Sequence, residues 1–262
     1  MFEIEPYRLG IFLATFLSMG LLEYTKPRRL LSQHKWTRWF SNISLSALST
    51  LLIHLTLGVI AVTTALYVQE HRWGLLTFVD IPQWGKMMVS LMALDFGIYI
   101  QHLLFHRMPL FWRFHRVHHT DLDFDVSTGI RFHPIEIFVS LIYKVVLIIA
   151  IGTDPITVVI FEIILNASSL FNHSNFYIPE SVDQLLRWFL VTPDVHRVHH
   201  SALPHEFNTN FGFSITWWDR LCGTFKNKPE HSHTSMDIGL KDYRDPKKLS
   251  LLSLLILPFR PQ

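Results

Sequence analysis

Residues 133–173 read HPIEIFVSLIYKVVLIIAIGTDPITVVIFEIILNASSLFNH, and this stretch decides the fold. Ile137 to Gly152 carries one charge, Lys144, and Pro155 to Phe171 carries one, Glu162. Each run is apolar over close to the length that crosses a bilayer as a helix. Gly152-Thr153-Asp154-Pro155 between them is a turn by composition. The stretch therefore predicts two membrane helices in a tight hairpin, with His133 and His173 at its open end. A charge inside a span is costly unless it is paired or functional. Lys144 and Glu162 each lie about nine residues, or roughly 13 Å of helix, from the turn. That symmetry predicts an ion pair across the hairpin; contact with a substrate head group is the alternative.

The apolar pattern continues on either side. Leu9 to Leu22 is a shorter run that Tyr7 and Tyr24 would extend into the membrane interfaces. Trp39 to Gln69 contains no Lys, Arg, Asp or Glu, enough for one tilted helix, and Met87 to Phe105 carries only Asp95. The reading is an all-α, integral-membrane bundle of four to five spans, forming one domain over 1–262 with residues 1–83 as its N-terminal membrane helices. The charged fraction of 17% agrees, being well below the roughly 25% of a soluble domain. A net charge of +2 offers no field for nucleic acid. The single cysteine, Cys222, excludes a disulfide framework within the chain and a Cys-rich zinc module. The acidic start, Met-Phe-Glu-Ile-Glu, lacks the basic region of a cleaved signal peptide.

Orientation follows from the basic loops. Lys26, Arg28, Arg29, Lys35 and Arg38 crowd the first loop, whereas Glu70 to Trp84 offers only Arg72. The positive-inside bias makes the first loop cytoplasmic, and counting forward through five spans puts 106–136 and 172–262 there too. The apolar run 249–259 is too short to cross and fits an interfacial helix or a lid.

Those cytoplasmic segments hold most of the 16 histidines. His102 and His106, spaced i, i+4, share a helical face, which alone is weak evidence of metal binding. His115-Arg-Val-His118-His119 is stronger, because the same five residues recur as His196-Arg-Val-His199-His200. Imidazoles on one face make poor core and poor membrane material, and their usual collective use is metal coordination. His133 and His173 belong to the same membrane level. Ten candidate ligands are too many for one zinc, which takes four, or three plus water. They suit two metals with about five each. Imidazole serves iron, copper, nickel or zinc, so nitrogen ligation alone does not choose. His34, His54, His71, His205, His231 and His233 are read as bystanders.

The ordered set HxxxH, HxxHH, HxxHH on membrane helices resembles the sterol desaturase/fatty acid hydroxylase superfamily. The run Asp95-Phe-Gly-Ile-Tyr99-Ile-Gln-His102 is similar to that family's first box. Phe-His133-Pro-Ile-Glu, Asn-His173-Ser-Asn, Glu206 to Gly212 and Trp218 to Phe225 are similar to its later elements. The likeness covers roughly 84–226. It implies a histidine-ligated di-iron centre that uses O2 to hydroxylate or desaturate an unactivated C–H bond of a lipid. It also implies acids that orient the imidazoles through their second nitrogen. Asp95, on the same helical face as His102, is the first choice, with Asp121, Asp123, Asp125, Asp194 and Glu206 behind it. The haem motif of members fused to cytochrome b5 does not occur, since His133-Pro134 is followed by Ile135. Electrons are therefore expected from a separate carrier protein, a reductase or a pterin. A zinc-dependent membrane hydrolase or a metal or ion transporter would use the same cluster differently.

Overall fold

The computed structural model describes residues 5–260, in which every regular element is a helix and no β-strand occurs. The long helices are α1 (Glu5–Thr25), α2 (Lys35–Thr56), α3 (Ile60–His71), α4 (Gln83–Arg107), α5 (Pro109–His119), α6 (Pro134–Ile151) and α7 (Pro155–Asn172). Shorter helices follow: α8 (Glu180–Leu186), α9 (Pro193–His199), α10 (Pro204–Phe207), α11 (Trp217–Leu221) and α12 (Leu251–Ile256).

The hairpin forms as its sequence dictates. Gly152 ends α6 in the left-handed conformation, φ 83°, and returns its N–H to the Ile148 carbonyl. Asp154 then caps α7 by accepting from the Thr157 N–H at 3.1 Å, with Pro155 in the first turn, where its missing N–H costs nothing. A β-carbon on Gly74 would lie 2.2 Å from the Gly152 nitrogen, so the loop after α3 packs directly on this turn. Ala61, Ala65, Leu94, Ile148, Val158 and Phe161 form the apolar core between α3, α4, α6 and α7.

Among the described residues α4, α6 and α7 are long and apolar enough to cross a membrane. The charge-free stretch from Trp39, expected as one helix, breaks at residues 57–59. Gly58 turns left-handed at φ 55°, and the two halves bend by 42°, the shape of a broken span or a re-entrant loop. Of the four to five spans expected, length and composition among the described residues support three, or four with the bent pair counted as one. α1 falls short because Arg8 and Glu23 dilute it, and both charges are used to dock it. Arg8 Nη2 lies 2.6 Å from Glu162 of α7, and Glu23 accepts from the Val126 and Asn175 N–H groups at 2.7 Å.

The predicted ion pair is present: Lys144 Nζ sits 2.5 Å from Glu162, so this carboxylate, buried between α6 and α7, answers two cations. At the hairpin's open end the basic first loop clamps the histidine-bearing segments. Arg38 bonds Asp121 and Asp125 at 2.7 Å, Asp123 accepts from the Ser32 and Gln33 backbone, and Arg28 pairs with Asp194 at 2.9 Å. The C-terminal apolar run folds onto α2 and α5, where Leu254 and Leu257 meet Leu45 and Val117.

Removing one member of a buried ion pair leaves an uncompensated charge. Glu162→Ala should cost about 3–5 kcal/mol of stability in detergent-solubilised protein. Lys144→Met combined with Glu162→Met should recover part of that loss in the same thermal unfolding measurement.

Candidate metal centre

Helical geometry explains how eight of the candidate ligands converge. Successive residues on an α-helix differ by about 100°, whereas i and i+4 differ by about 40°. In α5, His115 and His119 therefore aim together while His118 aims aside; in and after α9, His196 and His200 aim together and His199 aside. The result is two adjoining clusters. His102, His106, His115, His119 and His199 form one, and His118, His173, His196 and His200 the other. Within each cluster the ligating nitrogens all lie within 4.8 Å of one another. His119 and His200 stack between the two, ring centroids 4.5 Å apart. Each repeated pentapeptide thus splits its histidines across both clusters.

The second nitrogens are held from outside. His102 Nδ1 bonds the Phe211 carbonyl at 2.9 Å, His118 that of Arg131 at 3.2 Å, His173 that of Ser169 at 2.8 Å and His199 that of Thr209 at 2.7 Å. A carbonyl only accepts, so each of these rings carries its proton on Nδ1 and turns an Nε2 lone pair inward. His115 Nδ1 meets the Glu136 carboxylate at 2.6 Å.

The inner nitrogens crowd together. His102 and His115 Nε2 are 3.2 Å apart, and His173 Nε2 lies 3.1 Å from both His118 and His196 Nε2. Two nitrogens bound about 2.1 Å from one ion at right angles are about 3 Å apart, so the spacing is that of shared ligation. His119 Nε2, His199 Nε2 and both nitrogens of His106 and His200 are buried without a partner. Such groups are expensive unless something else satisfies them, and a divalent metal does. Burial, reinforced by neighbouring imidazoles, holds His118, His119, His196, His199 and His200 well below the ordinary histidine range. Burial alone takes His115 to about 3, and it brings His173 to about 3 as well. The rings are neutral at pH 7, the form that binds metal.

Two sequence expectations are corrected. His133 joins neither cluster. Lying just before Pro134, it caps α6, accepting from the Ile135 N–H through Nδ1, while its Nε2 faces the Leu255 carbonyl at 3.2 Å. Asp95 does not orient His102; it accepts from Trp218 Nε1 at 2.8 Å. Asp121, Asp123, Asp125, Asp194 and Glu206 bond Arg38, Arg28, Lys226 and backbone N–H groups instead of the clustered imidazoles. The acid that does reach a clustered ring is Glu136, which stood unremarked in the Phe-His133-Pro-Ile-Glu string. Its position one helical turn from His133 was the available signal.

The first cluster comes nearest the surface at His106. His106 is the only half-buried ring of the nine. Trp112 and Phe207, themselves half-buried, stack on each other at 5.6 Å beside it. Elsewhere apolar rings seal the centre: Phe132 stacks on His118 at 4.4 Å, and Phe211 packs against His102, His106 and His199.

The family model for fatty acid hydroxylases matches residues 87–224. An ornithine lipid hydroxylase of Rhizobium tropici is 29% identical over 244 residues, 88% of this chain and 70% of that protein. An alkylglycerol monooxygenase of Xenopus tropicalis is 26% identical over 61% of this chain and 35% of its own length. A cholesterol 25-hydroxylase of Rattus norvegicus is 30% identical over 55% and 48%. The chain thus spans about a third to a half of the latter two. No solved structure matches it.

Outer hydrogen-bond partners typically change metal affinity by about 10–100-fold. Glu136→Ala should weaken metal binding by that range in a chelator competition, and Glu136→Gln by less. His173→Ala should lower the metal retained per chain, whereas His133→Ala should leave it unchanged.

Proposed function

The chain belongs to the fatty acid hydroxylase family, and we propose that it hydroxylates an unactivated C–H bond of a membrane lipid at a two-iron centre. The observation that carries this reading is the paired histidine cluster, nine neutral imidazoles in two adjoining sets at the end of membrane-length helices. The relatives named as hydroxylases and monooxygenases support hydroxylation over desaturation, and their lipid names support the substrate class. Bound iron would supply the redox chemistry that activates O2, one oxygen atom going to the lipid and the other to water with two electrons and two protons.

The chain's own residues prepare the site. The Phe211, Arg131, Ser169 and Thr209 carbonyls and the Glu136 carboxylate hold five rings so that their Nε2 atoms face inward. Such outer bonds hold ring orientation against thermal motion. Phe132, Phe211 and the stacked Trp112–Phe207 pair limit water, which protects a strong oxidant from side reactions. The half-buried His106 beside Trp112 is the side from which a lipid carbon reaches the first cluster.

The histidine end faces the cytoplasm in this reading. Its support is the positive-inside bias together with the contacts of Arg28, Ser32 and Arg38 with Asp194, Asp123 and Asp121, which hold the basic loop and the histidine cap on one side. Electrons come from a separate cytoplasmic donor protein or reductase.

Purified protein should contain two irons per chain by metal analysis; one zinc or none would sink the proposal. Cells carrying the wild-type chain should accumulate a hydroxylated lipid that cells with His118→Ala lack. A lipid change that persists in that mutant would remove the histidines from the chemistry.

A further inference from the structure

One face of the histidine cap has its polarity reversed. Along α8, α11 and the residues after α8, Leu185, Trp188, Phe189 and Leu221 are 65%, 59%, 55% and 76% exposed, and Trp217 is exposed beside them. Glu180 at the start of α8 is exposed and pairs with Lys228, but the other charges of the same segments point inward. Asp183 and Arg187 are buried against each other. Asp219 is fully buried, accepting from the Phe211 and Gly212 N–H groups at 2.8 and 2.7 Å. Arg220 hydrogen-bonds the Arg187 carbonyl at 3.0 Å and lies over the Phe225 and Trp188 rings at 3.9 and 4.5 Å. A water-facing surface would hold the opposite arrangement.

The depth of this face is set by α4. Trp218 of α11 donates to Asp95, the middle residue of that span, and its ring packs on Phe96 at 4.9 Å. Thr224, just beyond α11, bonds the Tyr99 hydroxyl at 3.0 Å. Asp95 lies seven residues before His102, about 10 Å nearer the membrane interior along the helix. The segment from Phe211 to Trp218 therefore runs down the side of α4 from the histidine cluster toward the bilayer, and the chain turns back to the level of Tyr99 at Thr224.

We infer that the face carrying Leu185, Trp188, Phe189, Trp217 and Leu221 is seated in the outer hydrocarbon and head-group zone of the leaflet on the histidine side. Tryptophan and phenylalanine are the residues that settle at that boundary, and a cation shielded by rings tolerates it. The partner is the lipid surface itself. The cap is thereby held down on the membrane by aromatic anchors in addition to its spans. This goes beyond the proposed reaction and does not depend on it.

The chain's one cysteine, Cys222, is exposed beside Leu221 and reports on this face without substitution. A bimane fluorophore on Cys222 of the full chain in phosphatidylcholine vesicles should be quenched by nitroxide-bearing lipids and little by aqueous iodide. The same label in the Cys222→Ser, Asp237→Cys protein, at a position 81% exposed on the cap, should show the reverse. Free quenching of the Cys222 label by iodide would overturn the inference. Shielding from both quenchers would overturn it too, by assigning the face to a second copy of the chain. Hydroxyl-radical footprinting of unlabelled protein in vesicles gives an independent reading. Trp188, Phe189 and Trp217 should be oxidised several-fold less than the exposed His34 and His231, and equal oxidation would refute membrane seating. Neither measurement uses iron or turnover, so both stand apart from the fate of the hydroxylase reading.

Discussion

Nine neutral imidazoles enclosed in one protein interior impose the constraint on which this structure turns. Each ring carries two nitrogens, and a buried nitrogen without a partner is costly. The fold meets that demand at five of the nine rings with four backbone carbonyls and Glu136, all on the outer side of the rings. The inner side is left as nitrogens facing one another at 3.1–3.2 Å, an arrangement that could hold a metal ion. A metal bound there would link its binding to folding, because its ligands must be both deprotonated and gathered.

The surrounding architecture serves that enclosure. α4, α5, α7 and α9 bring histidines from positions 102 to 200 to one end of the membrane helices. Around them, ion pairs do the fastening: Arg38 to Asp121 and Asp125, Arg28 to Asp194, Arg8 and Lys144 to Glu162. These charges are nearly all drawn inward, while the outward surface is apolar along the spans and along the α8–α11 face. A chain with 17% charged residues still needs its charges, and it uses them as internal ties.

Much of this was legible in the residues. Hydropathy, the Gly152–Pro155 turn and the mirrored positions of Lys144 and Glu162 are local patterns, and the hairpin with its ion pair follows from them. The i, i+3, i+4 spacing is equally local, so the repeated His-Arg-Val-His-His string pointed to a clustered set of candidate metal ligands. The break at Gly58 was harder to see, because a glycine within an apolar run is tolerated in many helices and only the observed φ of 55° marks the bend. Asp95 misled because its place on the face of His102 was read along one helix, whereas its partner, Trp218, comes from 123 residues away.

The sequence by itself determined the helical membrane class, the residue types of the clustered site and eight of its nine candidate ligands through helical periodicity, with His173 added by its position at the hairpin end. Only the tertiary structure decided that the nine divide five and four, that His133 caps a helix instead of joining them, and that Glu136 and not Asp95 steadies a ring. The physical reason is range. Periodicity acts over four residues, but an imidazole's outer nitrogen is satisfied by whatever acceptor the folded chain brings to it, as when Phe211 meets His102 across 109 residues.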